Sequence, residues 1–191
     1  MSFIDKIKQQ RNKLRGTTTV ITNVDGKRFL VTNAETKQIG ENRYGFVVDT
    51  DPDDTPALIL EHLYIGSQDC AIDNILHTHN IKHVLSLGVD VNVSVNNKKL
   101  DILDLPDSNV VPVLKESLPF LKEAIKRKEN VLVHCNAGVS RTSLVAIGYL
   151  MQYEGMSYEE AHALVKSKRP AIRPNDGFIK QLRCVIPGAF L

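Results

Sequence analysis

The sequence predicts an α/β fold in which a central, mostly parallel sheet is flanked by helices, with an N-terminal β-hairpin as an appendage. Two observations support this prediction. From Leu58 onward, short apolar runs typical of buried strands alternate with segments of helical periodicity. Before that point, two β-branched runs flank Asp25-Gly26, a dipeptide that favours a tight hairpin turn. We therefore expect an arm, hairpin and linker over residues 1–56 and a main domain over residues 57–191.

The N-terminal region divides into three segments. Residues 3–15 are basic and are typical of a short helix or flexible arm with a solvated face. Residues 17–22 and 28–32 are the two expected strands of the hairpin. Residues 33–56 have no regular pattern and include four aspartates with Pro52 and Pro56, which predicts a loop or linker.

The first part of the main domain predicts strands and one helix. Residues 58–65 form an extended run that ends at Gly66, and Ser67 is a suitable N-cap for a helix to about His79. Further strands are expected at residues 81–87, 99–103 and 131–133.

The remaining helices follow from apolar spacing and capping signals. The first carries Leu114, Leu118, Leu121 and Ile125 on one face, and Pro119 within it predicts a kink or a start near Ser117. A second helix is expected over residues 142–153. A capping box at residues 157–160 opens a third that runs to residue 168, and a fourth follows Asn175.

Composition excludes several classes of protein. The net charge of +2 argues against a nucleic-acid binder, which usually carries a large basic excess. Three scattered cysteines do not form a disulfide framework, and no apolar run is long enough to span a bilayer. No secretory signal is visible at the start. We expect a cytoplasmic protein without a membrane or nucleic-acid partner, with nuclear residence and oligomeric state left open.

Residues 131–142 form a strand, a tight loop and a helix start, and they carry the chemistry. Cys135 precedes Arg141 by six residues, with His134 before the cysteine, Gly138 within the loop and Thr142 after the arginine. Such a loop, when it enters a helix N-terminus, directs successive backbone N–H groups at one anion. The predicted phosphate-binding residues are Asn136, Ala137, Gly138, Val139, Ser140 and Arg141.

Each side chain of this segment has a predicted role. The planar fork of Arg141 matches two phosphoryl oxygens. The positive surroundings favour the thiolate of Cys135, which attacks phosphorus. The Thr142 hydroxyl can bond to the sulfur as attacker and as leaving group. We assign His134 to orienting the loop rather than to proton transfer.

Phosphoryl transfer to a cysteine also needs an acid for the leaving group and a base for water. One carboxylate on a neighbouring strand–loop junction can serve both steps. Asp101 is expected inside the strand, Asp104 at the junction, and Asp107 further out in a capping or turn role. The sequence favours Asp104 over Asp107 as this acid, and the mechanism needs no metal or cofactor.

The chain resembles the dual-specificity protein phosphatases, whose pattern His-Cys-x-x-Gly-x-x-Arg-Ser/Thr is met by residues 134–142. The likeness covers residues 58–185. In this resemblance, the acid-loop aspartate of the family corresponds to Asp104, and the asparagine that often follows it corresponds to Asn109. Asn175 belongs to a segment that looks like the closing one of the family, and Asn109 and Asn175 are expected to support the site. The resemblance implies hydrolysis of phosphotyrosine and phosphoserine or phosphothreonine. The chain is most similar to the small members of the family that act in stress-activated kinase pathways. This similarity implies a role in MAP kinase (JNK) signalling, with a MAP kinase or its upstream kinase as the substrate.

The residues at the variable loop positions also bear on alternative substrates and roles. Relatives that act on inositol phospholipids tend to have lysines there, whereas Asn136, Ala137, Val139 and Ser140 are neutral. The absence of lysines at these positions also disfavours an RNA substrate. Glucan-directed relatives usually add a carbohydrate-binding module, and this chain has no tryptophan and no space for such a module. A non-catalytic scaffold that binds phosphoproteins is the second class of function. It is disfavoured because Cys135, Asp104 and Arg141 are all present.

Overall fold

The computed structural model describes residues 19–22, 27–31, 35–41 and 53–189. The chain divides into two compact units, residues 1–45 and 46–191. The expected basic segment 3–15 and the Asp25-Gly26 turn lie outside the described residues. The division into domains after residue 56 stays a prediction.

The first unit contains a three-stranded antiparallel sheet. Its strands are β1 (Thr19–Thr22), β2 (Lys27–Val31) and β3 (Thr36–Glu41), in the order β1-β2-β3. The pairing of β1 with β2 confirms the predicted hairpin. The strand β3 was not predicted, because its segment has no alternation of apolar and polar residues. Its place in the sheet comes from pairing with β2, and the expectation of irregular structure over residues 33–56 is wrong there.

The second unit is built on a five-stranded sheet in the order β4-β5-β8-β6-β7. Its strands are β4 (Ala57–Leu60), β5 (Leu63–Gly66), β6 (Ile81–Leu87), β7 (Asn96–Leu100) and β8 (Asn130–His134). Only the β4–β5 pair is antiparallel, and the other three neighbouring pairs are parallel. The mostly parallel sheet is confirmed, and β8 lies at its centre.

Helices cover both faces of this sheet. They are α1 (Asp73–Thr78), α2 (Val111–Lys126), α3 (Arg141–Tyr153), α4 (Tyr158–Lys168) and α5 (Asp176–Arg183). Alternate residues of β8 enter two different apolar clusters. Val131 and Val133 pack with α2 to α5, whereas Leu132 packs with α1 and the short 3₁₀-helix Gln68–Cys70. None of the helices in the described ranges is long and apolar enough to span a bilayer.

Two predictions for the start of the domain are wrong in detail. The extended run 58–65 is two strands, because His62 adopts a left-handed φ of 71° and turns the chain back. Ser67 caps only the short 3₁₀-helix, accepting a bond from the N–H of Asp69 at 3.1 Å. The chain is extended at Ile72 before α1 begins, so the two helical pieces are separate.

The position of α2 and the end of β7 also differ from the predictions. The helix begins at Val111, with a proline in its first turn, and continues through Pro119. Of the two expected effects of Pro119, a helix start near Ser117 is therefore wrong, and a kink stays a prediction. Burial of Leu114, Leu118 and Leu121 on one face offsets the cost of about 3 kcal/mol for an internal proline. The strand β7 ends at Leu100, so Asp101 is an exposed residue after the strand and not inside it.

Candidate active site

The loop of residues 135–140 connects the end of β8 to the start of α3, at the carboxyl edge of the parallel strands. It forms the floor of a pocket of about 380 Å³. The wall of the pocket is completed by Asp104, Pro106 and the segment 173–176. Ligands of open α/β sheets bind at this edge.

The backbone of the loop is oriented from outside. Four successive carbonyl groups accept hydrogen bonds from residues beyond the loop. These bonds run from Gln68 N to Asn136 O (2.8 Å), Arg169 Nη2 to Ala137 O (3.2 Å), Arg169 Nε to Gly138 O (2.9 Å) and Arg173 N to Val139 O (3.0 Å). In a trans peptide the N–H points opposite to the C=O. The N–H groups of residues 137–140 are therefore directed towards the inside of the loop, where an anion can accept from them.

Gly138 is required by the space around the loop. Its φ is +65°, a conformation that costs other residues about 1–2 kcal/mol. A β-carbon there would also lie 2.5 Å from the carbonyl carbon and oxygen of Gly66 and 2.7 Å from the nitrogen of Ser67. The loop can therefore rest against the end of β5 only with glycine at this position.

Cys135 lies at the base of the pocket, where its residue is 3% exposed. The hydroxyl of Thr142, in the first turn of α3, donates a hydrogen bond to its sulfur at 3.0 Å. This donor can stabilise a sulfur anion. The dipole of α3, which begins next to the loop, acts in the same direction.

Arg141 is the largest of the fully buried side chains, with 1% of its surface exposed. Its Nη1 donates to the carbonyl of Leu87 at 2.9 Å, which fixes the guanidinium below the pocket. Its Nε is buried and has no hydrogen-bond partner among the described residues. A buried donor without a partner is unfavourable, so an anion in the pocket would remove this cost.

Asp104 lies in the pocket wall and is held by two side chains. Ser140 Oγ donates to its Oδ1 at 2.6 Å, and Asn175 Nδ2 donates to the same oxygen at 2.8 Å. Asn175 also caps α5 by accepting from the N–H of Phe178. Ser140 keeps an inward-directed N–H for the predicted phosphate binding, and its side chain contacts the carboxylate of Asp104.

The structure does not bring every predicted residue to the pocket. Asp107 lies on an exposed turn and is not part of the pocket wall. Asn109 is exposed and accepts a bond from the N–H of Val111 at the start of α2, so it supports that helix. Of the two aspartates that the sequence left open, only Asp104 is within reach of a ligand in the pocket.

The comparisons with known proteins agree with this geometry. Residues 63–185 match the family model described as the catalytic domain of dual specificity phosphatases. The chain belongs to this family. It is thus a dual specificity protein phosphatase, a hydrolase, as the sequence analysis expected.

Individual relatives cover most of this phosphatase or its catalytic part. Mouse dual specificity protein phosphatase 19 is 37% identical, over 95% of this chain and 89% of its own. MAP kinase phosphatase with leucine-rich repeats protein 2 of Dictyostelium discoideum is 33% identical, over 67% of this chain and 19% of its own length. The crystal structure of human tyrosine phosphatase-like serine/threonine/tyrosine-interacting protein has a TM-score of 0.64 and 31% identity, covering 67% of this chain and 93% of that one.

His134 of the phosphatase is buried behind the loop. Its Nε2 lies 2.8 Å from Ser86 Oγ, and its Nδ1 lies 3.3 Å from the carbonyl oxygen of Cys135. Burial lowers the pKa of His134 to about 4, so the ring is neutral at physiological pH. A neutral ring between β6 and the first peptide of the loop agrees with the predicted orienting role and leaves no route for proton transfer to a substrate.

Sequence reasoning missed the residue that orients half of the loop. No role was predicted for Arg169, yet its guanidinium bonds two loop carbonyls. An arginine 31 residues beyond Gly138 gives no local signal of such a contact. The exposed side chain of Arg173 at the rim of the pocket was also not predicted.

A metal centre is not suggested by the described residues. Within residues 53–189 and the strands of the first unit, no three His, Cys, Asp or Glu side chains are grouped as metal ligands. The expectation that catalysis needs no metal stays a prediction.

Proposed function

We propose that this phosphatase acts on phosphoproteins through a cysteinyl-phosphate intermediate on Cys135, and that its substrate is a MAP kinase, or the upstream kinase, of the JNK pathway. One observation carries the mechanism. The sulfur of Cys135 lies 3.0 Å from the Thr142 hydroxyl, at the base of a loop whose N–H groups face inward. That arrangement suits a sulfur anion beside a phosphoryl group.

Binding comes first. The phosphoryl oxygens of the substrate accept bonds from the loop N–H groups and from the Nε of Arg141, which has no protein partner. The phosphorus is then held in line with Cys135. Because these donors are already oriented by the fold, little reorganisation is needed as charge develops.

The first chemical step transfers the phosphoryl group to sulfur. The thiolate of Cys135 forms the S–P bond while the P–O bond to the substrate breaks, and the leaving oxygen takes a proton from Asp104. Both hydrogen bonds to this carboxyl group are made to Oδ1. Oδ2 is therefore the oxygen that can carry the transferred proton.

The second step releases phosphate. Water attacks the phosphorus of the intermediate, and the Asp104 carboxylate, which lost its proton in the first step, takes one from this water. The S–P bond breaks and the electron pair returns to sulfur, where the Thr142 hydroxyl stabilises the anion. The enzyme returns to its starting state without a cofactor.

The substrate class follows from the pocket and from the relatives. The variable loop positions carry no lysine, so additional phosphates of an inositol lipid would find no cation on the loop. Mouse dual specificity protein phosphatase 19 is named as acting on proteins, and the Dictyostelium relative is named for MAP kinase. These names support a phosphorylated kinase as substrate.

Replacement of Asp104 by asparagine tests the proposed acid. Asparagine keeps the oxygen that accepts from Ser140 and Asn175, so the loop should stay in place while the transferable proton is lost. We expect kcat to fall by about 10²–10⁴-fold for alkyl phosphates and much less for aryl phosphates with acidic phenols. The measurement is kcat for a series of esters of rising leaving-group pKa.

Asp107→Asn is the matched control, because Asp107 lies on the same loop but outside the pocket. It should leave the whole series unchanged. A uniform loss across the Asp104→Asn series, or a larger loss in the control, would reassign the acid.

The proposed substrate is tested with phosphorylated kinases. Purified phosphatase is incubated with phosphorylated JNK, its phosphorylated upstream kinase and phosphopeptides with the same activation-loop sequences. We expect kcat/KM for one kinase to exceed that for its peptide by at least about tenfold, because the folded partner adds contacts outside the pocket. Equal rates on kinases and peptides would remove the kinase assignment and leave the phosphatase mechanism intact.

A further inference from the structure

We propose that Asp53 is a positioning residue for the phosphate loop and acts through Arg169. The inference rests on the proposed function of residues 135–141 as the phosphate site. Asp53 lies ten residues before the part of the chain that matches the family. One residue that supports the phosphate site therefore lies outside the region that matches the catalytic domain of the family.

The first step concerns Arg169. Its residue is 5% exposed, and its Nε and Nη2 donate to the carbonyls of Gly138 and Ala137 at 2.9 and 3.2 Å. These two bonds hold the peptides whose N–H groups, on Gly138 and Val139, are directed at the phosphate position. A rotation of the guanidinium plane would move both N–H groups together.

The second step concerns the partner of this buried cation. A carboxylate oxygen of Asp53 forms an ion pair with Nη2 of Arg169, whose side chain is 6% exposed. A buried charge requires a partner of opposite sign, and the loop carbonyls supply only partial charges. Asp53 thus completes the ligation of the guanidinium and fixes its plane.

The third step concerns the anchoring of Asp53 itself. Its backbone carbonyl accepts bonds from Ser67 Oγ at 2.6 Å and from Cys70 Sγ at 3.2 Å. Ser67 follows β5 directly, next to the backbone against which Gly138 rests, and Cys70 ends the 3₁₀-helix that Ser67 caps. One small region thereby holds the loop at Gly138 and holds the aspartate that orients Arg169.

The test is Asp53→Ala in the full chain, with inorganic phosphate as competitive inhibitor of aryl phosphate hydrolysis. We expect the Ki of phosphate and the KM to rise about tenfold, with a smaller change in kcat. Removal of a negative charge near the pocket would, by Coulomb attraction alone, strengthen phosphate binding. Weaker binding of phosphate would therefore indicate that the loop has lost its geometry, and not that the electrostatic field in the pocket has changed.

Asp54→Ala is the matched control, because Asp54 is an exposed neighbouring carboxylate that bonds the hydroxyl of Thr55. It should leave Ki unchanged. In an Arg169→Lys background, adding Asp53→Ala should raise Ki by less than twofold, since the pathway is already broken. The dependence of kcat on leaving-group pKa should be unaltered in Asp53→Ala, because Asp104 is untouched.

Two results would overturn the inference, and they are distinct from failure of the proposed function. The first is a lower melting temperature of Asp53→Ala with an unchanged Ki, which would show a role in folding alone. The second is an equal tenfold effect in the Arg169→Lys background, which would show that Asp53 does not act through Arg169. A wild-type enzyme that phosphate does not inhibit would instead remove the proposed phosphate site.

Discussion

Replacement of Cys135 by serine is expected to lower kcat/KM for aryl phosphates by about 10⁴-fold or more. The hydroxyl of serine is not ionised near neutral pH, and the Thr142 hydroxyl that would stabilise a thiolate cannot activate it. The anion donors of the pocket are the loop N–H groups and Arg141, which the substitution leaves in place. Affinity for a phosphotyrosine peptide should therefore stay within a few-fold of wild type, as measured by calorimetry.

Cys184→Ser is the control for this variant. Cys184 is an exposed cysteine that does not line the pocket, so its replacement should not affect hydrolysis. Wild-type hydrolysis by Cys135→Ser would show that another group is the nucleophile. A loss of peptide binding equal to the loss of turnover would show that the sulfur mainly serves the fold of the loop.

Gly138→Ala is expected to lower kcat/KM by about 10²-fold or more, because a shift of about 1 Å in a reacting geometry has an effect of this size. The added β-carbon would stand 2.5 Å from the backbone of Gly66, and neither backbone can yield without moving the loop. The N–H groups that meet phosphate are then displaced. The measurement is kcat/KM for an aryl phosphate together with the Ki of phosphate.

Gly155→Ala separates this contact from the general cost of the left-handed conformation. Gly155 has a φ of +67°, close to that of Gly138, but a β-carbon there meets no atom within 4 Å. Gly155→Ala should lose about 1–2 kcal/mol of unfolding free energy from the left-handed conformation alone, and Gly138→Ala should lose more because of the added backbone contact. Only Gly138→Ala should lose activity, and a comparable loss in Gly155→Ala would assign the effect to stability.

Much of the site could be predicted because its chemistry is local in sequence. The strand, the loop and the helix start over residues 130–142 follow one another directly, so their spacing along the chain brings Cys135, Arg141 and Thr142 together at the pocket floor. The capping box at Ser157 and the start of a helix after Asn175 were predicted for the same reason. Each depends on bonds within one helical turn.

Other elements were misjudged because neighbours along the chain do not determine them. In the run 58–65 the apolar residues are interrupted only by Glu61-His62, and neither of these is a residue that typically forms turns. The turn at His62, which makes two strands of the run, was therefore missed. The helix α2 passes through Pro119 because burial of its apolar face outweighs a local preference. The formation of β3 likewise depends on its pairing with β2, which the pattern of residues 36–41 does not indicate.

By itself, the sequence determined the chemical type of this protein: a cysteine, an arginine and a hydroxyl placed on one strand–loop–helix turn. The tertiary structure decided which aspartate meets that loop, and it placed Arg169 and Asp53 behind the loop carbonyls. These residues are separated by 31 to 116 positions from one another along the chain. Their contacts form only when the sheet and helices have packed, because the local conformation of the chain does not bring residues so far apart in sequence close together.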